Sequence, residues 1–462
     1  MSRGKTIALC LLVLAGLGFA DYLTLSGTSM AETTYDSGAF LRCAKTSLLD
    51  PGFYSAIRPP TVPFFYKLVG GNAENIRTFQ SALSVFCWFA LGLALASLFP
   101  SELLRAVILI GTCLFSLSSP INQWDGVIMS ESIFLSMMVA FISITIFAVR
   151  ATILIGRVPI PIAAAWLIIS TLFVSSRDSA IYFVVVPWAV AAVWLAMGFV
   201  SSRQGEHSVV PRSSVAKALA VGLVLIVASQ ASLQQSERWR TPLINVILNR
   251  VLPNEELYEQ WIDLYGLPRE PLFEGQANSF AWNRVGNAQQ LRKLIKPNYP
   301  LASVGRWLRK RGVRSYQRHL LIDEPFRSIR EGVNGLNMGF NPISPVGPGI
   351  RENSYSKGAG ITSWTQAITK VFYFVIPVPL WTCFGATALA LACFFLRPNL
   401  RAPAVCVLVL LGGAAAQAFV TWHGDAAEVP RHTLVVGVLA RVAFGVLAIT
   451  LIAAVKKRAS ED

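Results

Sequence analysis

Apolar stretches of about 20 residues recur along almost the whole chain, and each is long enough to cross a hydrocarbon layer of about 30 Å as a helix. By that length, ten spans are expected, at residues 7–25, 79–99, 103–117, 127–149, 158–174, 180–200, 215–233, 371–396, 404–420 and 433–455. Charged residues make up 14% of the 462, against roughly 25% in a soluble domain. The fold class is therefore all-α, a polytopic membrane bundle of about ten helices. Pro159, Pro161, Pro187, Pro377 and Pro379 fall within these stretches. Helices in a bilayer tolerate proline where neighbours satisfy the freed carbonyls.

Charge orients the bundle. With the N-terminus in the cytoplasm, every short inner segment is basic: Arg3 and Lys5; Arg105; Arg150 and Arg157; Arg203, Arg212 and Lys217; Arg397 and Arg401; Lys456, Lys457 and Arg458. This is the asymmetry that multi-pass proteins show. The outer turns 118–126 and 175–179 share only Arg177. Both termini are then cytoplasmic, and the location is the inner or plasma membrane. The basic start and the Gly18-Phe19-Ala20 end of the first stretch also suit a cleavable signal peptide. Its continuation through Tyr22-Leu23-Thr24-Leu25 favours a retained anchor. Three regions follow: an N-terminal bundle of seven spans, 1–233, with a first outer loop at 26–78; an outer loop domain, 234–370, between spans seven and eight; and a C-terminal bundle of three spans, 371–462.

The inner loops are too short for a nucleotide-binding domain, and no phosphate-cradling glycine motif appears. Chemistry is thus expected at the outer surface, on a substrate delivered by a lipid carrier. Six of the seven cysteines lie in spans and only Cys43 lies outside, so neither an internal disulfide on the outer side nor a zinc site is expected. His423 and Asp425 are too few ligands for a metal, and no cofactor is expected. Polar residues gather at the outer helix ends in four segments: Tyr35–Leu41 with Arg58–Phe65, Trp124–Ser132, Ser175–Ser179, and Trp422–His432. Glu131 lies about 6 Å inside the fourth span at 1.5 Å per residue. An ionisable group there signals function by default, although interfacial solvation also accounts for it.

These segments carry a resemblance. Tyr35-Asp36-Ser37-Gly38 resembles the first-loop acidic motif of GT-C glycosyltransferases. Arg58-Pro59-Pro60-Thr61-Val62-Pro63 is similar to their Arg-x-Pro-x-x-Pro stretch, and Met129-Ser130-Glu131-Ser132-Ile133-Phe134 to their Leu-Ser-Glu-x-Leu-Phe. Arg177-Asp178 and Glu428-Val429-Pro430-Arg431-His432 fall where relatives carry basic motifs. The nearest branch comprises the bacterial protein O-mannosyltransferase-like and aminoarabinose-transferase-like proteins. The resemblance implies a polyprenyl-phosphate-sugar donor and transfer with inversion to a lipid, glycan or protein acceptor. Asp36 is then the general base. Arg58, Arg177 and Arg431 surround the lipid phosphate with His432 as a donor, and Asp125, Glu131 and Asp178 are supporting acids. Arginine suits phosphate through its planar fork of donors. Asp36 also suits a helix N-cap before Ser37, and Arg177 an ion pair with Asp178 or a headgroup anchor. Two departures stand out. His432 replaces the family's tyrosine, and Asp36 has only Glu32 nearby where the mannosyltransferases have an acidic pair.

In the outer loop, a helix is expected around 244–251, followed by a Leu257, Tyr258, Trp261, Ile262, Tyr265 face. A basic amphipathic helix over 301–321 suits anionic membrane lipids or an ordinary solvated face. The Gly-, Pro- and Asn-rich stretch 333–361 reads as a loop without periodicity. Inner-segment topology and lipid contact account for the net charge of +15, so no nucleic-acid partner is expected. A transporter or flippase is the alternative function. It predicts broken helices with ionisable groups near the bilayer midplane, whereas the charges here are expected at helix ends.

Overall fold

The computed structural model describes residues 3–26, 36–155, 158–183, 212–269, 273, 275–279, 303–340, 363–373, 376, 378–424 and 429–458. Within them the secondary structure is helical, with no β-strand. The chain begins with α1 (Arg3–Ser26), α2 (Ser37–Lys45), α3 (Pro51–Tyr54) and α4 (Thr61–Leu68). Next come α5 (Ala73–Ala96), α6 (Glu102–Ser116), α7 (Ser119–Asn122), α8 (Ser130–Ile155), α9 (Ile160–Val174) and α10 (Arg212–Ser236). Asn72 starts α5 by accepting from the Glu74 and Asn75 amides, the usual N-cap role of asparagine.

Seven of the described helices are long and apolar enough to cross a membrane, and an eighth arises if α6 and the 119–126 turn, bent by 56°, form one span. The ten expected spans differ from this in four places. The third is α6, which qualifies only together with the bent 119–126 turn. The fifth is α9, apolar but short. The sixth, 180–200, lies outside the described residues beyond Phe183. The eighth begins at Pro379 rather than at 371, because α15 (Ser363–Phe372) is a separate helix and proline favours the first helical position over the interior.

The loop between α10 and α15 folds around its own core. α11 (Arg240–Val246) runs on through a π-turn, Ile247–Val251, and α12 (Glu255–Tyr265) follows. The segments Ser303–Trp307, Leu308–Gly312, Val313–Arg318 and His319–Asp323, right-handed at every join, form one helix, α13. Leu248, Trp261, Tyr265, Trp307 and Leu308 are buried together, as the predicted α12 face requires. Residues 333–340 overturn one expectation. They belong to α14 (Pro325–Phe340) and are not loop. Gly332, Gly335 and Gly339 fall at helical spacing, and their lack of a side chain lets α14 lie directly on the last spans, α17 (Arg401–Gly424) and α19 (Leu434–Arg458). A Cβ at Gly335 would sit 2.4 Å from the Ala418 carbonyl oxygen, and one at Gly437 would sit 2.3 Å from that of Gly339. Small residues allow this backbone approach between membrane helices. The rest of 341–361 lies outside the described residues. α16 (Pro379–Leu396) and the short α18 (Val429–His432) complete the chain.

Arg441 was not anticipated by the end-clustering of charge. It lies inside α19 and is 7% exposed. It donates to three carbonyl oxygens, those of Phe372 (2.9 Å), Phe340 and Gly437 (2.6 and 3.2 Å), and lies over the Tyr373 ring. Two of these oxygens, those of Phe340 and Phe372, close the C-terminal ends of α14 and α15, where a cation is favoured by the dipole.

Candidate active site

Asp36 directly precedes α2, in the position of a helix cap, but its side chain makes no capping bond. Its carboxylate instead takes a hydrogen bond from the Arg58 guanidinium, which also lies 4.9 Å over the Phe40 ring. Arg58 Nε has no partner among the described residues. Ser37, the next residue, donates to the Ile128 carbonyl at 2.6 Å, which ties the start of α2 to the approach to α8.

Glu131, in the first turn of α8, is 1% exposed and accepts from Arg177 Nη2 at 3.4 Å. Arg177 lies 5.4 Å from the Phe134 ring. The residue next to it, Asp178, pairs with Arg238 rather than with Arg177. Arg238 donates Nε to both of its oxygens and Nη2 to one, at 2.9–3.1 Å, and donates Nη1 to the Ala56 carbonyl. The Thr61 amide donates to the Ser175 carbonyl. Three arginine–carboxylate pairs, Asp36–Arg58, Glu131–Arg177 and Asp178–Arg238, are thus linked through the backbone of the first loop. Arg238 was missed. Its only signal is an arginine just past an apolar stretch.

Two uncharged side chains hold the 124–129 turn that presents Glu131. Gln80 Nε2 donates to the carbonyls of Val127 (2.9 Å) and Asp125 (3.1 Å). The Tyr66 hydroxyl contacts Gln80 Oε1 and the Met129 carbonyl, both at 2.8 Å. Burial, followed by the nearby Glu131 charge, pushes the Tyr66 hydroxyl well above its ordinary value, so it stays a neutral donor.

The remaining predicted residues lie elsewhere. The Asp125 carboxylate accepts from Ser132 inside the bundle. It lies near Asp21, which takes hydrogen bonds from Ser81 and Asn122. His432 ends α18, which packs against α14, α17 and α19. The Arg431 side chain, Glu32, Asp425 and Glu428 lie outside the described residues. His423 faces the Ser328 carbonyl at 2.8 Å. Among the described residues no three His, Cys, Asp or Glu side chains are grouped to hold a metal.

No protein-family model matches the sequence, and no curated protein matches it. Among solved structures, the chain is similar to the apo oligosaccharyltransferase of Archaeoglobus fulgidus, with 12% identity, a TM-score of 0.47, and coverage of 98% of this chain and 52% of that one. It is also similar to the oligosaccharyltransferase AglB of Archaeoglobus fulgidus in complex with an inhibitory peptide and a dolichol-phosphate, with 12% identity, a TM-score of 0.49, and coverage of 99% and 51%. The chain spans about half the length of each.

Proposed function

We propose that this protein is a membrane glycosyltransferase of the GT-C type, with its active site at the meeting of the first loop and the starts of α2 and α8. One observation carries the reading. Asp36 occupies a cap position without capping, its carboxylate is oriented by Arg58, and Arg58 keeps a donor without a partner. A carboxylate spent on a helix end has no reason to reach across the loop, whereas a general base needs such orientation.

In the proposed reaction Asp36 takes the proton of an acceptor hydroxyl, and that oxygen attacks the anomeric carbon of a polyprenyl-phosphate sugar. The bond from that carbon to the phosphate oxygen breaks, its electron pair leaves with the lipid phosphate, and the sugar inverts. Arg58, with its unused Nε, and Arg177 stabilise the charge that grows on the phosphate, which is the larger part of catalysis in such sites. Glu131 and Asp178 fix the arginines. The site faces the extracytoplasmic side with both termini in the cytoplasm, as the basic inner segments support. The acceptor is a lipid, glycan or protein hydroxyl. The transporter alternative gains little from Arg441, whose Nε, Nη1 and Nη2 each donate to a helix carbonyl.

The test is transfer of label from radiolabelled polyprenyl-phosphate sugars by purified wild-type and Asp36→Asn protein. The expected result is a rate loss of about 10²–10⁴-fold in the variant, with donor binding retained. Transfer unaffected by the substitution removes Asp36 as the base. No turnover of any donor by the wild type removes the enzyme reading.

A further inference from the structure

Outside the Asp36 site the loop core carries a second feature. A cavity of about 380 Å³ opens between the end of α12 and the exposed face of α13, lined by Leu264, Tyr265, Lys310, Arg311, Arg314 and Arg318. We propose that this cavity is a seat for the phosphate of an anionic membrane lipid, separate from the catalytic site.

Charge is the first argument. Lys310, Arg314 and Arg318 lie four residues apart, so their side chains share one face, with Arg311 beside them. Like charges at that spacing weaken a helix. Among the described residues neither Lys310, Arg311 nor Arg314 has an acidic partner within ion-pair distance, and only Arg318 meets one, Asp323 at 3.2 Å. The array is therefore repulsive until an anion enters. The π-turn Leu308–Gly312 shifts the helical register just where the array begins. Such turns concentrate at functional positions.

Position is the second argument. The Tyr316 hydroxyl, on the same helix, donates to the carbonyl of His423 at 2.7 Å, next to the final residue of the spanning helix α17. The α13 helix therefore rests by this side on the end of a span, and its cations lie on the opposite side of the same helix, facing α12.

The third argument is exposed apolar surface on the same elements, of which Leu264 lines the cavity. Leu264, Leu321, Ile322, Phe326 and Ile329 are all exposed, Phe326 by 86%. Large apolar side chains beside a basic face suit a surface that meets both acyl chain and headgroup. Free phosphate has no use for such apolar side chains, which favours lipid as the source.

The experiment is native mass spectrometry of the full chain released from detergent, titrated with phosphatidylglycerol or phosphatidylcholine. The wild type is expected to retain phosphatidylglycerol in preference to phosphatidylcholine. An Arg311→Gln/Arg314→Gln variant is expected to bind it about 25-fold more weakly, about 5-fold per cation removed. Its melting temperature in lipid-free detergent reports folding. If the double variant does not fold, Arg314→Gln alone is expected to show the 5-fold loss. Unchanged phosphatidylglycerol binding in a folded variant, or equal retention of phosphatidylcholine by the wild type, overturns the proposal. Displacement of phosphatidylglycerol by millimolar inorganic phosphate also overturns it, by making the cavity a soluble-anion site.

Discussion

Arg58, Arg177 and Arg238 each face a carboxylate, whereas Lys310, Arg311 and Arg314 on α13 face none among the described residues. The difference follows burial. The first three lie in a packed junction of loop and helix ends, where an unmatched charge loses its hydration without compensation. The second three lie on an open face where water screens them. A packed charge must be matched from within the chain. An open one can wait for a partner from outside.

The comparison can be broken at several points. The largest effect on stability is expected at Glu131→Ala, which strands Arg177. Its cost is about 3–5 kcal/mol, read as a lowered melting temperature of the purified protein. A loss below about 1 kcal/mol would place this pair with the open charges. Arg238→Lys keeps the charge but loses the forked contact to Asp178, and is expected to cost about 1–2 kcal/mol in the same measurement. A smaller effect separates the loop core from the bundle. Burial, and then the charge of Arg327, hold the His319 imidazole below its ordinary value of 6.5, so the folded loop keeps it neutral. Its contribution to stability is present above about pH 6.5 and is lost as the pH falls toward the folded value. His319→Asn is expected to flatten that slope in melting curves between pH 7 and pH 5. A slope that survives the substitution assigns it to another group. The smallest effect is expected at Arg314→Gln, within about 0.5 kcal/mol without lipid. A larger loss would mean that the α13 cations already have a partner within the chain.

The same contrast separates what was legible in the sequence from what was not. Spans announce themselves because every residue in them obeys one rule, apolarity over a fixed length. The α12 face was readable because Leu257, Trp261 and Tyr265 repeat at the helical period. Asp36, Arg58, Glu131, Arg177 and Asp178 stood out as charges beside apolar runs, but who pairs with whom is a tertiary matter. Asp178 neighbours Arg177 in sequence and pairs with Arg238, 60 residues away. Gln80 and Tyr66 gave no signal because an uncharged side chain inside an amphipathic stretch looks like any other. α14 was misread because glycine breaks helices in water and yet permits their closest contacts in a bundle. Arg441 was overlooked because one cation hardly changes the average over a long apolar helix.

Arg441 carries one further consequence. The ion pairs of the first-loop junction end in carboxylates, which acid can protonate and salt can screen. The Arg441 guanidinium ends in the peptide oxygens of Phe340, Phe372 and Gly437, which have no proton to gain in any physiological range and lie out of reach of ions. The fastening that gathers the ends of α14 and α15 onto α19 is therefore indifferent to the acidity and ionic strength of the surroundings. The C-terminal part of the bundle keeps this fastening through changes of medium that would weaken the carboxylate pairs of the first-loop junction.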